Sequence, residues 1–133
     1  MRFVIDASVA LSFLLRDEND AEAARLLACV RRASIIAPAI WRAEVLNGLL
    51  NAQRRKRIDM AGISEGITLI DSLDVEIDLR MIDLFTIHQV ATRHRLTVYD
   101  ALYLDLAARE GVGLATHDVD LKRAAKAANI TII

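Results

Sequence analysis

The chain has 133 residues, 54% of them apolar, which is enough hydrophobic material for one compact core and sets the expectation of a single domain over residues 1–133. No apolar run approaches the roughly 18 residues that suggest a membrane span, and an acid interrupts the first apolar stretch, so the protein is expected to be soluble and cytoplasmic. The formal charge of −1 argues against a generally basic nucleic-acid-binding surface, and a lone cysteine, Cys29, excludes an internal disulfide or a cysteine zinc site.

In chain order, Phe3-Val4-Ile5 is the first stretch of strand type and runs directly into Asp6 and the helix-like turn Ala7-Ser8-Val9-Ala10. Ala23, Leu26, Leu27 and Val30 then recur at helical intervals. Ser34 to Ala37 reads as a second strand, followed by Pro38 and a helix over Ala39 to Ala52 so apolar that only Arg42, Glu44, Asn47 and Asn51 break it. A short strand around Val75 to Ile77 is weakly signalled, and Met81, Leu84, Phe85 and Ala91 return to helical spacing. A helix starting near Val98 is placed to end at Gly111. Val112 to Thr116 and Ile130 to Ile133 complete the strand-type stretches. This alternation predicts an α/β fold, a short parallel sheet flanked by helices.

Four acids stand out. Asp6 and Asp118 each follow a strand and precede a helix; either can be an N-cap, and both should lie at the carboxyl ends of parallel strands, where open sheets bind ligands. Glu44 shares a helical face with Ile40, Trp41 and Gly48, a costly place for an unpaired carboxylate, so a cation or an arginine such as Arg42 is implied as its partner. Asp100 follows Thr97 at capping-box spacing, yet it also shares a face with Tyr103, Leu104 and Ala107, which points it inward. Asp105 lies on another face with Arg109 four residues on, as an exposed pair would.

Several inward acids in a small domain repel one another unless neutralised, and a hard divalent cation, Mg²⁺ or Mn²⁺, suits carboxylate oxygens. With those charges set aside, the rest of the chain is net positive and can hold a phosphate backbone around an acidic centre. Such a site suits phosphodiester hydrolysis. Ser8 and Thr116 are read as hydroxyls that orient neighbouring carboxylates, because no histidine or lysine is spaced to activate them; turn and capping bonds account for them equally. His88, His94 and His117 make no zinc pattern.

Phe3-Val4-Ile5-Asp6-Ala7-Ser8-Val9 resembles the opening of PIN domains, Pro38 through Asn47 resembles their Glu helix, Leu96 through Tyr103 their third motif, and Leu114-Ala115-Thr116-His117-Asp118 their fourth. The resemblance runs in order over the whole chain, whose length is similar to that of VapC toxins from bacterial and archaeal toxin–antitoxin pairs. It implies a PIN-like fold and a metal-dependent endoribonuclease in which Asp6, Glu44, Asp100 and Asp118 are catalytic and hold Mg²⁺ or Mn²⁺. It further implies an RNA substrate, a homodimer, and a cognate VapB-like antitoxin whose segment occupies the acidic cleft. Asp120, two residues beyond Asp118, is either an additional acid near the metal or a first-turn helix acid.

Gln53-Arg54-Arg55-Lys56-Arg57 is the one dense basic run, able to hold RNA phosphates or to cap a helix C-terminus; Arg93-His94-Arg95 is a smaller one. Trp41 is read as a core residue in preference to a base-stacking one. Two rivals fit less well. A phospho-receiver domain wants adjacent acids after its first strand, where Ala7 follows Asp6, and a late lysine beyond a strand, where Lys122 falls in a helix. A silent PIN-fold interaction module would not need all four acids.

Overall fold

The computed structural model describes residues 1–15 and 20–133. Along these, β1 (Arg2–Ile5), α1 (Ala7–Leu14), α2 (Ala21–Arg32), β2 (Ser34–Pro38), α3 (Trp41–Arg54) and α4 (Met60–Ser72) lead to β3 (Val75–Asp78). The chain continues through α5 (Leu84–His94), α6 (Val98–Glu110), β4 (Gly113–Ala115) and α7 (Val119–Ala127). The strands form one parallel sheet in the order β3-β2-β1-β4. The α/β architecture expected from the sequence is therefore the architecture found.

Both faces of the sheet are covered, which is why its strands read as unbroken apolar runs. Phe3, Val4, Ile5, Ile35, Ile36, Ala37 and Leu114 are all buried, and they pack with Phe13 of α1, Leu104 and Leu106 of α6 and Leu121 of α7. Trp41 is 1% exposed, a core residue as its apolar neighbours suggested, although its indole N–H has no hydrogen-bond partner among the described residues. Five of the seven helices described begin on local side-chain caps: Asp20, Asp59, Asp83, Thr97 and Asp118 each accept a backbone N–H three residues on. Gly111 ends α6 as anticipated, at φ +64°, a left-handed turn that glycine adopts without a Cβ penalty.

Three sequence expectations shift. Ile130 to Ile133 does not form a strand: only Ile132 bridges to Leu114, and the segment lies close enough to β4 that a Cβ on Gly113 would sit 3.0 Å from the Thr131 carbonyl. The Glu44 helix begins at Trp41, two residues after the expected start. In the fifth helix Ile87 is the buried residue, whereas Met81, Leu84 and Phe85 are 96, 78 and 87% exposed, so their helical spacing does not mark a core face of this chain.

β3, weakly signalled because its alternation is short, is held at its end by charge. Asp78 accepts from Arg80 Nε at 2.7 Å and Arg109 Nη2 at 2.9 Å, and Arg109 also reaches Asp105 at 2.7 Å. The expected Asp105–Arg109 pair therefore exists, but as part of a network with largely buried carboxylates. Burial raises the affinity of Asp78 for a proton, yet the two guanidinium groups outweigh it and draw the carboxyl down to about 2. A depressed carboxylate stabilises the fold above its unfolded value near 3.8 and loses that contribution as pH falls through about 2. Asp78→Asn is expected to cost about 2 kcal/mol at pH 7, read by urea denaturation, with the gap to wild type closing toward pH 2.

Candidate active site

The site is built where the strand order reverses. From β1 the chain moves to β2 on one side, while β4 lies on the other, and the Asp6 N–H donates to the Ala115 carbonyl at 2.9 Å. Pairing of Ile5 with Ala115 thus sets Asp6 beside Thr116 at the carboxyl ends of adjacent strands.

Asp6 is 5% exposed and does not serve as a side-chain cap of α1. Its Oδ2 instead accepts from both the Ser8 and Thr116 hydroxyls, each at 2.7 Å. Those hydroxyls are fixed in turn, since Ser8 Oγ accepts the His117 N–H at 2.9 Å and Thr116 Oγ1 accepts the Asp118 N–H at 3.0 Å. The orienting role read for them in the sequence is thus their geometry here. Asp118 does cap its helix, accepting the Leu121 N–H on Oδ1 at 2.8 Å, so the capping and the inward readings of this residue are both true.

Glu44 lies in the first turn of α3 and Asp100 in the first turn of α6. With Asp6 and Asp118 they line one cleft of about 310 Å³, together with Ala7, Ser8, Leu11, Asn47 and Gly48. Arg42 does not pair with Glu44; it reaches Asp71 at 2.6 Å. None of the four acids has an ion-pair partner among the described residues, and no cationic side chain lines the cleft. Asp120 turns to Arg123 at 2.8 Å and is not among the lining residues. Among the described residues no three His, Cys, Asp or Glu side chains are gathered closely enough, as they stand, to form a metal-ligand cluster; repulsion between unpaired carboxylates acts in that direction.

Tyr103 supplies the contact that sequence reading did not assign. Its side chain is fully buried on α6, one turn after Asp100, and its hydroxyl donates to Glu44 Oε1 at 2.9 Å. Burial and the nearby Glu44 and Asp6 carboxylates push the phenol far above its ordinary value, so it remains a donor. The only hint in the sequence was its place on the inward face of α6.

Desolvation is the main cause of a raised Glu44 proton affinity; the Tyr103 hydrogen bond opposes it, and Asp6 and Asp100 add to it. Asp100 is also raised, by desolvation first and then by Asp118 and Asp6, with Thr97 opposing. Such strain favours a hard cation with oxygen ligands, and the donor set is all oxygen. A raised carboxyl contributes no penalty below its unfolded value and an increasing one as pH climbs through its folded value. In EDTA at pH 7, Glu44→Gln and Asp100→Asn are each expected to raise the thermal midpoint by a few degrees over wild type, and the wild-type midpoint should itself rise as pH is lowered toward 5. A lower midpoint in both variants would contradict the repulsion described.

The sequence profile of the PIN domain family matches residues 3–127. Ribonuclease VapC3 of Mycobacterium tuberculosis is 31% identical over 121 residues, spanning 91% of this chain and 85% of that protein. The crystal structure of PAE2754 from Pyrobaculum aerophilum superposes with a TM-score of 0.71 at 24% identity, over 99% of this chain and 92% of that one. VapBC2 from Rickettsia felis, crystallised with a DNA fragment from the promoter, superposes with a TM-score of 0.65 at 17% identity over 100% and 98%. With the profile spanning nearly the whole chain and a relative of this identity and coverage, the protein belongs to the PIN-domain family.

Proposed function

We propose that this chain is a Mg²⁺- or Mn²⁺-dependent endoribonuclease, the toxin of a type II toxin–antitoxin pair, and that Asp6, Glu44, Asp100 and Asp118 are its catalytic and metal-holding residues. The observation that carries this reading is the cleft itself: four carboxylates from four separate segments line one cleft at the strand-order reversal, with no cation among the described lining residues. A relative named as a ribonuclease supplies the substrate class. In phosphodiester hydrolysis a divalent cation supplies charge neutralisation at the phosphate and a more acidic water.

The protein's own part is orientation and proton handling. Ser8 and Thr116 leave Asp6 one oxygen free to face the cleft, and the Leu121 N–H does the same for Asp118. Tyr103 holds Glu44 Oε1, leaving Oε2 free. Glu44 and Asp100, whose proton affinities are raised, are suited to accept the proton that water loses on attacking phosphorus. An RNA substrate sets this work in the cytoplasm.

An antitoxin and a second copy of the chain are the partners proposed with this activity. Two apolar surfaces support protein partners. One is a groove of about 230 Å³ between α3 and α4, lined by Val45, Leu46, Leu49, Ile67 and Ile70 between Arg42 and Asp71. The other carries Leu79, Met81, Leu84 and Phe85, each more than three-quarters exposed.

Purified protein, free of any partner, is expected to cleave RNA in Mg²⁺ or Mn²⁺ and not in EDTA. Asp6→Asn, which keeps an acceptor for Ser8 and Thr116 but removes the charge, should slow cleavage by at least about a hundredfold, the scale of losing one preorganised electrostatic group, while leaving the circular dichroism spectrum unchanged. Near-full activity in that variant would remove Asp6 from the site. Calorimetry with Mn²⁺ should show binding that Glu44→Ala weakens; no binding to wild type would favour a silent interaction module.

A further inference from the structure

The cleft is not the end of the polar surface that α3 offers. Glu44, Asn47, Gly48 and Asn51 stand at i, i+3, i+4 and i+7 of that helix, and Arg55 follows at i+11, so all five share one face. Glu44, Asn47 and Gly48 line the cleft, while Asn51 and Arg54 through Arg57 are exposed. At 1.5 Å per residue the stripe runs about 16 Å from the acids to the cations.

The basic turn at its far end is not explained by capping. The carbonyls of Asn51, Ala52 and Gln53 are taken by the backbone N–H groups of Arg55, Arg57 and Lys56. The side chains of Arg54, Arg55, Lys56 and Arg57 make no hydrogen bond or ion pair among the described residues. The end of α5 shows what a side-chain cap looks like in this protein: Arg123 donates to the His94 carbonyl at 2.7 Å. Lys56 moreover has φ +59°, at the position after a helix where glycine is the favoured residue, as Gly111 is after α6. The chain keeps a cation there against its backbone preference, as it also does with Arg95 after α5, at φ +52°.

We propose that this stripe of α3 is a track for the sugar-phosphate backbone of an RNA strand leaving the cleft, with Asn47 and Asn51 as hydrogen-bonding steps and the Arg54–Arg57 turn as the phosphate clamp at its end. No aromatic side chain stands on the stripe, so it holds the strand by its backbone and does not read bases. The inference rests on the ribonuclease reading, since the strand it holds is that enzyme's substrate.

The test is binding of a fluorescent single-stranded RNA to Asp6→Asn protein, which retains the strand uncut, followed by anisotropy across a salt series. Adding Arg55→Gln and Lys56→Gln should weaken binding at low salt and reduce the slope of log Kd against log salt by about 1.4, because each single-strand phosphate that is no longer neutralised takes about 0.7 from it. Arg93→Gln with Arg95→Gln removes the same charge from exposed positions at the C-terminal end of α5, off the track, and should change the slope far less. Lys56→Gly alone should raise the thermal midpoint while weakening RNA binding, a pairing that a purely structural lysine would not give. Unchanged affinity in the Arg55/Lys56 variant, or equal losses in both charge variants, would overturn the track and leave the ribonuclease standing. No RNA binding by the parent protein would remove both.

Discussion

Everything at the cleft depends on the parallel pairing of β1 with β4. These strands are far apart in sequence, and only their register sets Asp6 against Thr116, with Asp6 N–H bonded to the Ala115 carbonyl. Once that register is set, the two hydroxyls and the two backbone N–H groups that donate to them form one continuous chain of hydrogen bonds from α1 to the start of α7. A slip of one residue would turn Thr116 to the other face of the sheet and leave a buried carboxylate without its donors, so the apolar core and the polar site enforce the same alignment.

The helices then bring charge to this fixed point at an energetic cost. α3 packs on α1 and α4, and α6 on β1, β2 and α5, so each acid is delivered by an element anchored elsewhere. The Tyr103–Glu44 bond is the one side-chain hydrogen bond that joins α3 to α6 among the described residues. Elsewhere the protein neutralises its carboxylates readily, with Asp78, Glu110 and Asp71 all facing arginines. The contrast between that outer network and the inner acids, unpaired among the described residues, is what supports the proposal of a cation in the cleft.

Much of this was legible in the sequence. Buried parallel strands announce themselves as apolar runs, so β1, β2 and β4 could be found, and the acids following β1 and β4 could be placed at strand ends. Asp100 and Glu44 were recognisable because a helical wheel puts them beside core residues. Periodicity could not reveal which elements are neighbours: that Arg42 pairs with Asp71 and not Glu44, or that Tyr103 points its hydroxyl across to α3, are facts of tertiary position. Nor does it tell a buried stripe from an exposed one, which is why Met81, Leu84 and Phe85 looked like ordinary helix spacing and proved to be surface. The C-terminal Ile130 to Ile133 has strand composition but contributes one bridge at an edge.

Asp118 holds two obligations in a single carboxylate: one oxygen closes the first turn of α7 and the residue also lines the cleft. Natural selection therefore sees this position through two traits at once, the abundance of folded protein and what the cleft does. Asparagine keeps the cap but not the charge that the proposed metal-holding role requires; alanine keeps neither. Under that proposal, inactive variants at Asp118 would be a mixture of poorly folded and well-folded molecules, and only the amide would separate the two traits.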